Sequence, residues 1–344
     1  MFRIRLAFRI VFAAALMQMA PGPGLAHGVG QFYQGRTINM IISAAPGGAS
    51  DFFARVFAPY IAKHLAGQPK IVVSNMPGAS GITAALLLQQ RGPFDGSTIA
   101  LLQRNNFYAP LLDKTLSLRP RSLNWLGSLN QEFYAVVARA GAPVKSWEDL
   151  LTTKLILGAT SFGNENRTFA ALMNDFMGTK FEIVTGYAGN SEIDIALERG
   201  EVQSRMQTVN SLTAGPEAEA LVAGRIRLIA QIGMSNAPQF PDLKNMMDLA
   251  VNDEARAVAS FLLAPLAAGR PFAAPPGVPA DRVAALRVAF DAAAADPEFL
   301  AEMKKRNSSI EAITGAEVQT IVEGLWKAPD PVLAKVRTLL DPPK

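Results

Sequence analysis

Strand-like and helix-like hydrophobic patterns alternate along most of the chain. The strand-like segments are short apolar runs, most of them followed by a loop and a segment with apolar residues at helical spacing. The runs that predict strands are residues 37–45, 70–74, 97–102, 155–160, 181–185, 201–207 and 226–232. Helical periodicity covers residues 51–65, 82–90, 166–177, 191–199, 281–295 and 296–305. This alternation is typical of an α/β fold with mainly parallel sheets.

Two further apolar runs, residues 132–138 and 258–264, resemble strands flanked by loops. We interpret them as two crossings between lobes, so that both ends of the chain build one lobe around a contiguous middle lobe. The expected boundaries are residues 27–135 and 258–344 for lobe 1 and residues 136–257 for lobe 2. The sequence therefore predicts a two-lobed α/β fold, with helices flanking the sheet of each lobe and a cleft between the lobes.

The N-terminus has the layout of a cleavable secretory signal. Three arginines lie within the first nine residues, and an apolar run extends from Ile10 to Met19 before a Pro-Gly-Pro-Gly segment. Gly24 and Ala26 are small residues at the positions that precede cleavage before His27. The apolar run is shorter than the about 20 residues that span a bilayer. We therefore expect residues 1–26 to be removed and the protein to be exported.

Composition and charge exclude several classes of function. The 344 residues are 49% hydrophobic, which excludes a disordered chain, and they include no cysteine, which excludes thiolate metal sites and cysteine nucleophiles. The net charge of +4 falls to +1, 30 basic against 29 acidic residues, without the three arginines of the predicted signal. A nucleic-acid site, which needs a concentrated basic face, is not expected. Only His27 and His64 could serve a histidine metal site or a catalytic triad, and they lie far apart in the sequence.

Three Gly-containing loops lie between a predicted strand and a predicted helix, at residues 46–50, 78–81 and 161–164. Backbone amides at a helix N-terminus lack intrahelical acceptors, and together with the helix dipole they favour an anion. Ligands of open α/β sheets bind beyond the carboxyl ends of the strands. Three such loops at one cleft suit a small ligand with one or two carboxylates, although any single loop is also explained as a tight turn.

Several polar residues near these loops have two interpretations. Ser50 or Asp51 is first a helix N-cap and only second a ligand contact. Tyr187 and Asn190 either line the cleft or shape a Gly-rich turn. Arg104 follows the strand over residues 97–102, where it faces a carboxylate or is a solvated loop residue.

Three short motifs follow one another in the first part of the chain. They are P-G-G-x-[ST]-D at Pro46–Asp51, V-x-N-x-P-G-A-x-G at Val73–Gly81 and the turn D-G-x-T-[IL] at Asp95–Ile99. In order and spacing they resemble the solute-binding proteins of tripartite tricarboxylate transporters, also called the Bug family. The resemblance covers essentially the whole mature chain and is strongest over residues 37–102. It departs from the family in lobe 2, where Thr160–Asn164 replaces a G-S-x-G-x-G-[ST] loop, so the ligand is less well indicated than the fold.

The resemblance implies a periplasmic two-lobed binding protein, not an enzyme, that closes on a small organic acid without a cofactor or metal. In the family, backbone amides of the first two loops hold one carboxylate, and the middle-lobe loop contacts the rest of the ligand. Carried over, the first group of ligand-binding residues is Gly47, Gly48, Ala49, Ser50, Asn75, Gly78, Ala79, Ser80 and Gly81. The second group is Ser161, Phe162, Gly163 and Asn164, with Tyr187 and Asn190. The implied partner is the membrane permease of a tripartite transporter, and the receptor itself is expected to be a monomer.

Two other functions use the same cleft. A periplasmic serine-dependent hydrolase would use Ser80 or Ser161, but neither serine lies in G-x-S-x-G and no histidine is well placed. A ligand-sensing protein would present its closed form to a signalling receptor instead of a permease, and the sequence does not separate this function from transport.

Overall fold

The computed structural model describes residues 23–160, 164–213, 215–306 and 308–340, and only the backbone of residues 23–27 and 215. Within these residues the strands are β1 (Thr37–Ile42), β2 (Lys70–Asn75), β3 (Thr98–Leu101), β4 (Asn124–Ser128), β5 (Tyr134–Arg139), β6 (Leu155–Gly158), β7 (Phe181–Val184), β8 (Ser204–Thr208), β9 (Ile226–Ile232), β10 (Pro271–Ala274) and β11 (Ile313–Thr314). The helices are α1 (Pro23–Tyr33), α2 (Ala49–His64), α3 (Ile82–Arg91), α4 (Ala109–Leu112), α5 (Trp147–Thr152), α6 (Glu165–Met177), α7 (Asn190–Arg199), α8 (Val209–Leu212), α9 (Gly215–Val222), α10 (Asp253–Leu263), α11 (Ala280–Ala294), α12 (Pro297–Lys305), α13 (Gly315–Leu325) and α14 (Asp330–Leu340). Short 3₁₀ helices lie at Ala79–Gly81, Arg104–Phe107, Pro120–Ser122, Met246–Leu249 and Ala264–Ala268.

The strands form two sheets, which confirms the predicted α/β fold. The first sheet, on which lobe 1 is built, has the order β11-β4-β10-β3-β1-β2, and the second, in lobe 2, has the order β7-β6-β8-β5-β9. Four strands of each sheet run in one direction, as the prediction of mainly parallel sheets requires. The pairing is nevertheless mixed, because β10 and β11 run antiparallel in the first sheet and β5 runs antiparallel in the second.

A cluster of buried aromatic rings joins the two ends of the chain in lobe 1. Phe57 of α2 contacts Phe272 of β10, Phe290 of α11 and Phe299 of α12, with ring centroids 5.6, 5.1 and 4.9 Å away. All four side chains are fully buried. Burying each of them contributes a few kcal/mol, about 1.5–3, so the N-terminal and C-terminal segments fold as one body.

The two connections between the sheets run side by side. Residues 129–133 lead from β4 to β5, and the return passes from α10 through Ala264–Ala268 to β10. The amide of Gly269 donates to the Asn130 carbonyl at 2.9 Å, and the amide of Glu132 donates to the Leu266 carbonyl at 2.8 Å. These two hydrogen bonds hold the paired crossings together.

The prediction of a strand over residues 258–264 is wrong, because residues 258–263 belong to α10. Val258, Ala259 and Phe261 are buried in the core, and a short, mainly apolar run fits a buried helix as well as a buried strand. Asn252 decides between the two by capping the helix, since its side chain accepts the amide of Ala255 at 2.8 Å. The second crossing therefore lies over residues 264–270.

Helix α1 extends across the predicted processing point before His27. Val29 and Tyr33 are buried in lobe 1, and the Tyr33 hydroxyl donates to the Gly96 carbonyl at 3.1 Å. Both anchors follow the predicted cleavage point. The apolar run of the predicted signal lies outside the described residues. No helix in the described part of the chain is long and apolar enough to cross a membrane.

Candidate functional site

The carboxyl ends of β1, β2 and β3 lie side by side at one edge of the first sheet, because β1 pairs in parallel with both neighbours. The segments that leave these strands are the first loop (residues 43–50), the second loop (residues 76–81) and the third loop (residues 102–108). Parallel pairing thus brings the predicted residues of the first two loops to one place.

Close packing at Gly81 joins all three loops. A Cβ built on Gly81 would lie 3.3 Å from the Cβ of Ser43 in the first loop and 2.6 Å from the Cγ of Gln103 in the third loop. Gly81 also has a φ of +89°, which favours glycine. The position therefore needs glycine for its backbone angle and for the approach of its neighbours.

The first loop ends in the N-terminus of α2. Gly47 has a φ of +81°, whereas Gly48 has an ordinary φ of −83° and is the N-cap of the helix. The interpretation of Ser50 or Asp51 as the cap is wrong, because the chain enters the helix at Ala49. The amides of Gly48, Ala49 and Ser50 have no hydrogen-bond acceptor within the described residues. They are donors at the positive end of the helix dipole.

Asp51 holds the first loop in place from within. Its carboxylate is almost buried and accepts the Gly47 amide at 2.9 Å, Arg55 Nε at 2.7 Å and Asn75 Nδ2 at 2.9 Å. The Gly47 amide, the Asn75 side chain and Arg55 together hold the pKa of Asp51 below its usual range, against the effect of burial. Asp51 is therefore an ionised support of the loop.

Asn75, a predicted ligand contact, joins the first loop to the second. Its Nδ2 donates to the Ala44 carbonyl at 3.1 Å as well as to Asp51, and its Oδ1 accepts Arg55 Nη2 at 2.7 Å. Both polar atoms of the side chain thus already have partners in lobe 1. The structure places Asn75 beneath the two loops as a positioning residue.

The second loop has four consecutive residues with positive φ. The angles are +139° at Gly78, +45° at Ala79, +52° at Ser80 and +89° at Gly81. For Ala79 and Ser80 this left-handed conformation costs about 1–2 kcal/mol per residue. Strained backbone of this kind persists only where the surroundings hold it, and it clusters at functional sites.

The third loop supplies the groups that hold this strained turn. Asn105 Nδ2 donates to the Ser80 carbonyl at 3.1 Å, and Asn106 Nδ2 donates to the Gly81 carbonyl at 3.4 Å. The amides of Ala79 and Ser80 have no acceptor among the residues that the structure describes. The Ser80 and Gly81 carbonyls are thus paired within the protein, whereas the neighbouring amides of Ala79 and Ser80 are not.

In lobe 2, three of the predicted residues, Asn164, Tyr187 and Asn190, line one open hollow of about 720 Å³. Asn164 is the N-cap of α6, and its side chain accepts the Asn166 amide at 3.1 Å. Asn190 is the first residue of α7. The residues that line the hollow are Thr160, Asn164, Thr185, Gly186, Tyr187, Ala188, Gly189 and Asn190. Ser161, Phe162 and Gly163 lie outside the described residues.

Tyr187, which the sequence placed either at the cleft or in a Gly-rich turn, has contacts on two sides. It lines the hollow, and a Cβ built on Gly158 would lie 3.5 Å from its Cε2 atom. The ring therefore packs over the end of β6 next to Ile193 and also borders the space above it.

Arg104 connects the two lobes. From the third loop its Nε donates to Glu165 Oε1 at 2.9 Å and its Nη2 donates to Glu165 Oε2, so the first residue of α6 binds it through both carboxylate oxygens. Its Nη1 donates to Glu132 Oε2 at 2.5 Å. Arg104 therefore faces carboxylates, as one interpretation of the sequence expected, but they are the protein's own.

Two further residues complete this inter-lobe group. The Tyr134 hydroxyl donates to Glu165 Oε2 at 2.6 Å and accepts Arg104 Nη2 at 3.2 Å. Arg270 Nη1 lies 3.2 Å from Glu132 Oε1. The group thus contains two arginines and two glutamates at the point where the lobes meet.

The charges of this group stabilise one another. Burial alone would raise the pKa of Glu165, but Arg104 outweighs it and the pKa of Glu165 is lowered. Burial and the charge of Glu165 raise the pKa of Tyr134 well above its usual value and that of Tyr108 to about 12. At neutral pH the tyrosines are therefore neutral donors and Glu165 is a carboxylate.

Glu132, Tyr134 and Glu165 were not among the residues predicted from the sequence. Glu165 carried a weak signal, since an acidic residue in the first turn of a helix is favoured by the dipole. Nothing in the sequence connects it to Arg104, 61 positions earlier, because the contact depends on how the lobes pack.

The model of the tripartite tricarboxylate transporter family receptor matches residues 53–323. The chain belongs to this family. Among curated proteins, the receptor is similar to the UPF0065 protein in the gbd 5′ region of Cupriavidus necator, with 28% identity over 248 residues, 70% of this chain and 72% of the relative. The resemblance inferred from the three sequence motifs is thereby confirmed.

Solved structures agree with this fold. A TctC solute-binding protein from Polaromonas superposes with a TM-score of 0.70 at 20% identity, covering 90% of the receptor and 99% of the other chain. A protein from R. palustris solved with adipate has a TM-score of 0.62 at 19% identity, covering 88% and 97%. Membership of this receptor family makes the protein a solute-binding protein and not an enzyme, and the solved structures share its fold.

His64 takes no part in the described site of the receptor. It lies in the last turn of α2, where its Nε2 is 2.7 Å from Asp296 Oδ2. Asp296 is the N-cap of α12, and its Oδ1 accepts the amide of Glu298, in the first turn of that helix, at 2.9 Å. The histidine therefore supports helix packing in lobe 1.

Proposed function

We propose that the receptor captures a small carboxylate-containing ligand between its lobes and delivers it to the membrane subunits of a tripartite tricarboxylate-type transporter. The observation that carries this proposal is the pair of loops with unpaired backbone amides at one edge of the first sheet. Amides at a helix N-terminus bind anions through hydrogen bonds and the helix dipole. The R. palustris neighbour solved with adipate supports a carboxylate as the ligand class.

The ligand-contacting groups in this proposal are the residues predicted from the sequence. In lobe 1 they are the backbone of Gly47, Gly48, Ala49, Ser50, Gly78, Ala79, Ser80 and Gly81, with Asn75 as their support. In lobe 2 they are Asn164, Tyr187 and Asn190 at the hollow, together with Ser161, Phe162 and Gly163.

Export and lobe closure are also part of the proposed function. Residues 1–26 act as the export signal, and the two lobes are joined by the crossings over residues 129–133 and 264–270. The receptor works as a monomer that closes around its ligand at the paired crossings. Closure predicts that small-angle scattering of the ligand-bound protein gives a smaller radius of gyration than that of the ligand-free protein. Superimposable profiles would contradict it.

The test of the site compares two single changes in the loops. A Cβ built on Gly48 comes no closer than 3.8 Å to the Ala45 carbonyl oxygen, so valine fits the fold. Its side chain stands among the first-loop amides, and we expect Gly48→Val to weaken acid binding by at least about tenfold. Ser80→Ala removes one neutral hydroxyl and should cost only about 0.5–1.5 kcal/mol of binding free energy.

The acid for this test is first found by thermal shift with a panel of mono-, di- and tricarboxylates. A ligand at 100 times its dissociation constant stabilises the folded state by about 2.7 kcal/mol, which is readily measured. Titration calorimetry then gives the affinities, and circular dichroism confirms folding. A folded Gly48→Val protein with wild-type affinity would remove the first loop from the site. A complete loss of binding in Ser80→Ala would favour a side-chain mechanism.

A further inference from the structure

The arginines around the proposed site already hold carboxylates of the protein. Arg55 pairs with Asp51 at 2.7 Å beneath the first loop. Arg104 holds Glu132 and Glu165, and Arg270 lies beside Glu132. Each of these three guanidinium groups thus already pairs with a carboxylate of the protein, and a ligand carboxylate at the loops meets backbone amides.

Glu165 occupies Arg104 in the way that a ligand carboxylate would. Its two oxygens accept Nε and Nη2 of the guanidinium, which is the bidentate geometry by which arginine recognises carboxylates. The Tyr134 hydroxyl adds a third hydrogen bond to Oε2. The receptor thus carries, on lobe 2, a built-in carboxylate in the position that complements Arg104.

Arg104 is close to the proposed anion site along the chain and in space. The next residue, Asn105, donates to the Ser80 carbonyl of the second loop at 3.1 Å. The Arg104–Glu165 contact is where the third loop meets lobe 2. A ligand held at the loops and reaching lobe 2, as proposed above, would have its far end next to this pair.

The charge balance at this contact disfavours a second negative charge. Arg104 and Arg270 carry two positive charges, and Glu132 and Glu165 carry two negative charges, so the group is neutral. These side chains are only 11–14% exposed except Glu165 at 35%. Screening is weak in such surroundings, and an added carboxylate would meet Glu165 and give the group a net negative charge.

We propose that Glu165 is a specificity-determining residue that makes the receptor select acids with one carboxylate and an uncharged far end over dicarboxylates of equal length. This inference rests on the proposed function and deepens it by naming the ligand class. If the charge of Glu165 is removed, Glu132 is the one carboxylate that still pairs with Arg104. Arg104 can then pair with a second carboxylate of the ligand.

The experiment compares matched acids on the full mature protein by titration calorimetry at constant ionic strength. The pairs are pentanoate with glutarate and hexanoate with adipate, at about pH 7.5, where all their carboxylates are ionised. For the wild type we expect each monocarboxylate to bind at least about tenfold more tightly than its partner. For Glu165→Gln we expect that ratio to fall by about tenfold or more, through tighter binding of the diacid.

A matched control separates this effect from a change in overall charge. Glu182→Gln removes one negative charge from an exposed residue of β7 that pairs with Lys154 at 3.4 Å. We expect it to leave both ratios unchanged. Circular dichroism and thermal unfolding check that both variants are folded.

Each result has a distinct meaning. A wild-type protein that binds glutarate or adipate as tightly as the matched monocarboxylate overturns the inference and leaves the proposed function standing. An unchanged ratio in folded Glu165→Gln overturns the assignment to Glu165. The wild-type comparison needs no variant. It therefore tests the preference for monocarboxylates even if the Glu165→Gln protein does not fold. The absence of binding to these acids and to the wider carboxylate panel overturns the proposed function, and the inference with it.

Discussion

The Nδ2 amide of Asn75 donates to Oδ1 of Asp51 at 2.9 Å, and this hydrogen bond joins the end of β2 to the first turn of α2. The same carboxylate accepts the amide of Gly47, and the same side-chain amide donates to the carbonyl of Ala44. The first loop is therefore held at two points before any ligand arrives. A preorganised loop loses less conformational entropy when it binds, so we expect these two side chains to support affinity by holding the loop.

Asn75→Ala should weaken both folding and binding. The substitution removes hydrogen bonds to Ala44, Asp51 and Arg55, and we expect the free energy of unfolding to fall by about 1–3 kcal/mol. Urea unfolding and calorimetry with the acid found by thermal shift measure the two effects. Asn236→Ala is the control, because Asn236 is an exposed amide outside the three loops that donates to the Pro241 carbonyl. Equal acid affinities in the two variants would show that Asn75 does not position the site.

Asp51→Asn should destabilise the receptor in a pH-dependent way. The pKa of Asp51 is lowered in the folded protein, so its contribution is fully present above the ordinary aspartate pKa of about 3.9 and is lost as pH falls through the lowered value. The difference in melting temperature between wild type and variant should therefore be largest near neutral pH and shrink below about pH 4. A constant difference down to about pH 3 would contradict an ionised support role for Asp51.

Ala79→Gly should stabilise the protein. Ala79 has a φ of +45°, a left-handed conformation that strains alanine but not glycine. Because glycine also loses more chain entropy on folding, we expect the free energy of unfolding to rise by at most about 1 kcal/mol. Ala284→Gly, at an exposed position within α11, should instead lower the stability by about 1 kcal/mol. Chemical denaturation compares the two variants. Destabilisation of similar size at both positions would contradict the strain.

Arg104→Met should be strongly destabilising. It leaves Glu132 and Glu165 without their shared cation, and removal of one partner from a buried ion pair costs about 3–5 kcal/mol. Arg121→Met is the matched control, since Arg121 pairs with Glu323 at 2.9 Å but is 55% exposed, and such surface pairs contribute about 0–1 kcal/mol. Similar unfolding midpoints for the two variants would show that the inter-lobe group contributes little to stability.

Processing of the exported protein should remove residues 1–26. Val29 and Tyr33, the anchors of α1 in lobe 1, follow the cleavage point and remain in the mature chain. N-terminal sequencing of protein from the periplasmic fraction should therefore begin at His27 or within a few residues of it. A periplasmic protein that begins at Met1 would show that no signal is removed.

Local patterns in the sequence predicted most of the fold. The apolar runs at β1, β2 and β3, the glycine-containing loops after the first two strands and the amphipathic segments behind them are each encoded within about 10 residues, the range over which periodicity acts. The same range misled the prediction at residues 258–263, because this short run is apolar except at Ser260 and does not separate a helical period from a strand period. The N-cap of α2 was also missed, since the positive φ of Gly47 lets the helix begin at Ala49.

The sequence by itself determined which loops offer backbone amides, because glycine and the order strand, loop, helix are local properties. Only the tertiary structure decided how the side chains around them are used. Asn75 supports the loops because Asp51 faces it across the strand ends. Arg104 pairs with Glu165 because two lobes that are separate in the sequence pack against each other. Coulomb attraction and hydrogen bonding depend on distance in space, and a single sequence records only distance along the chain.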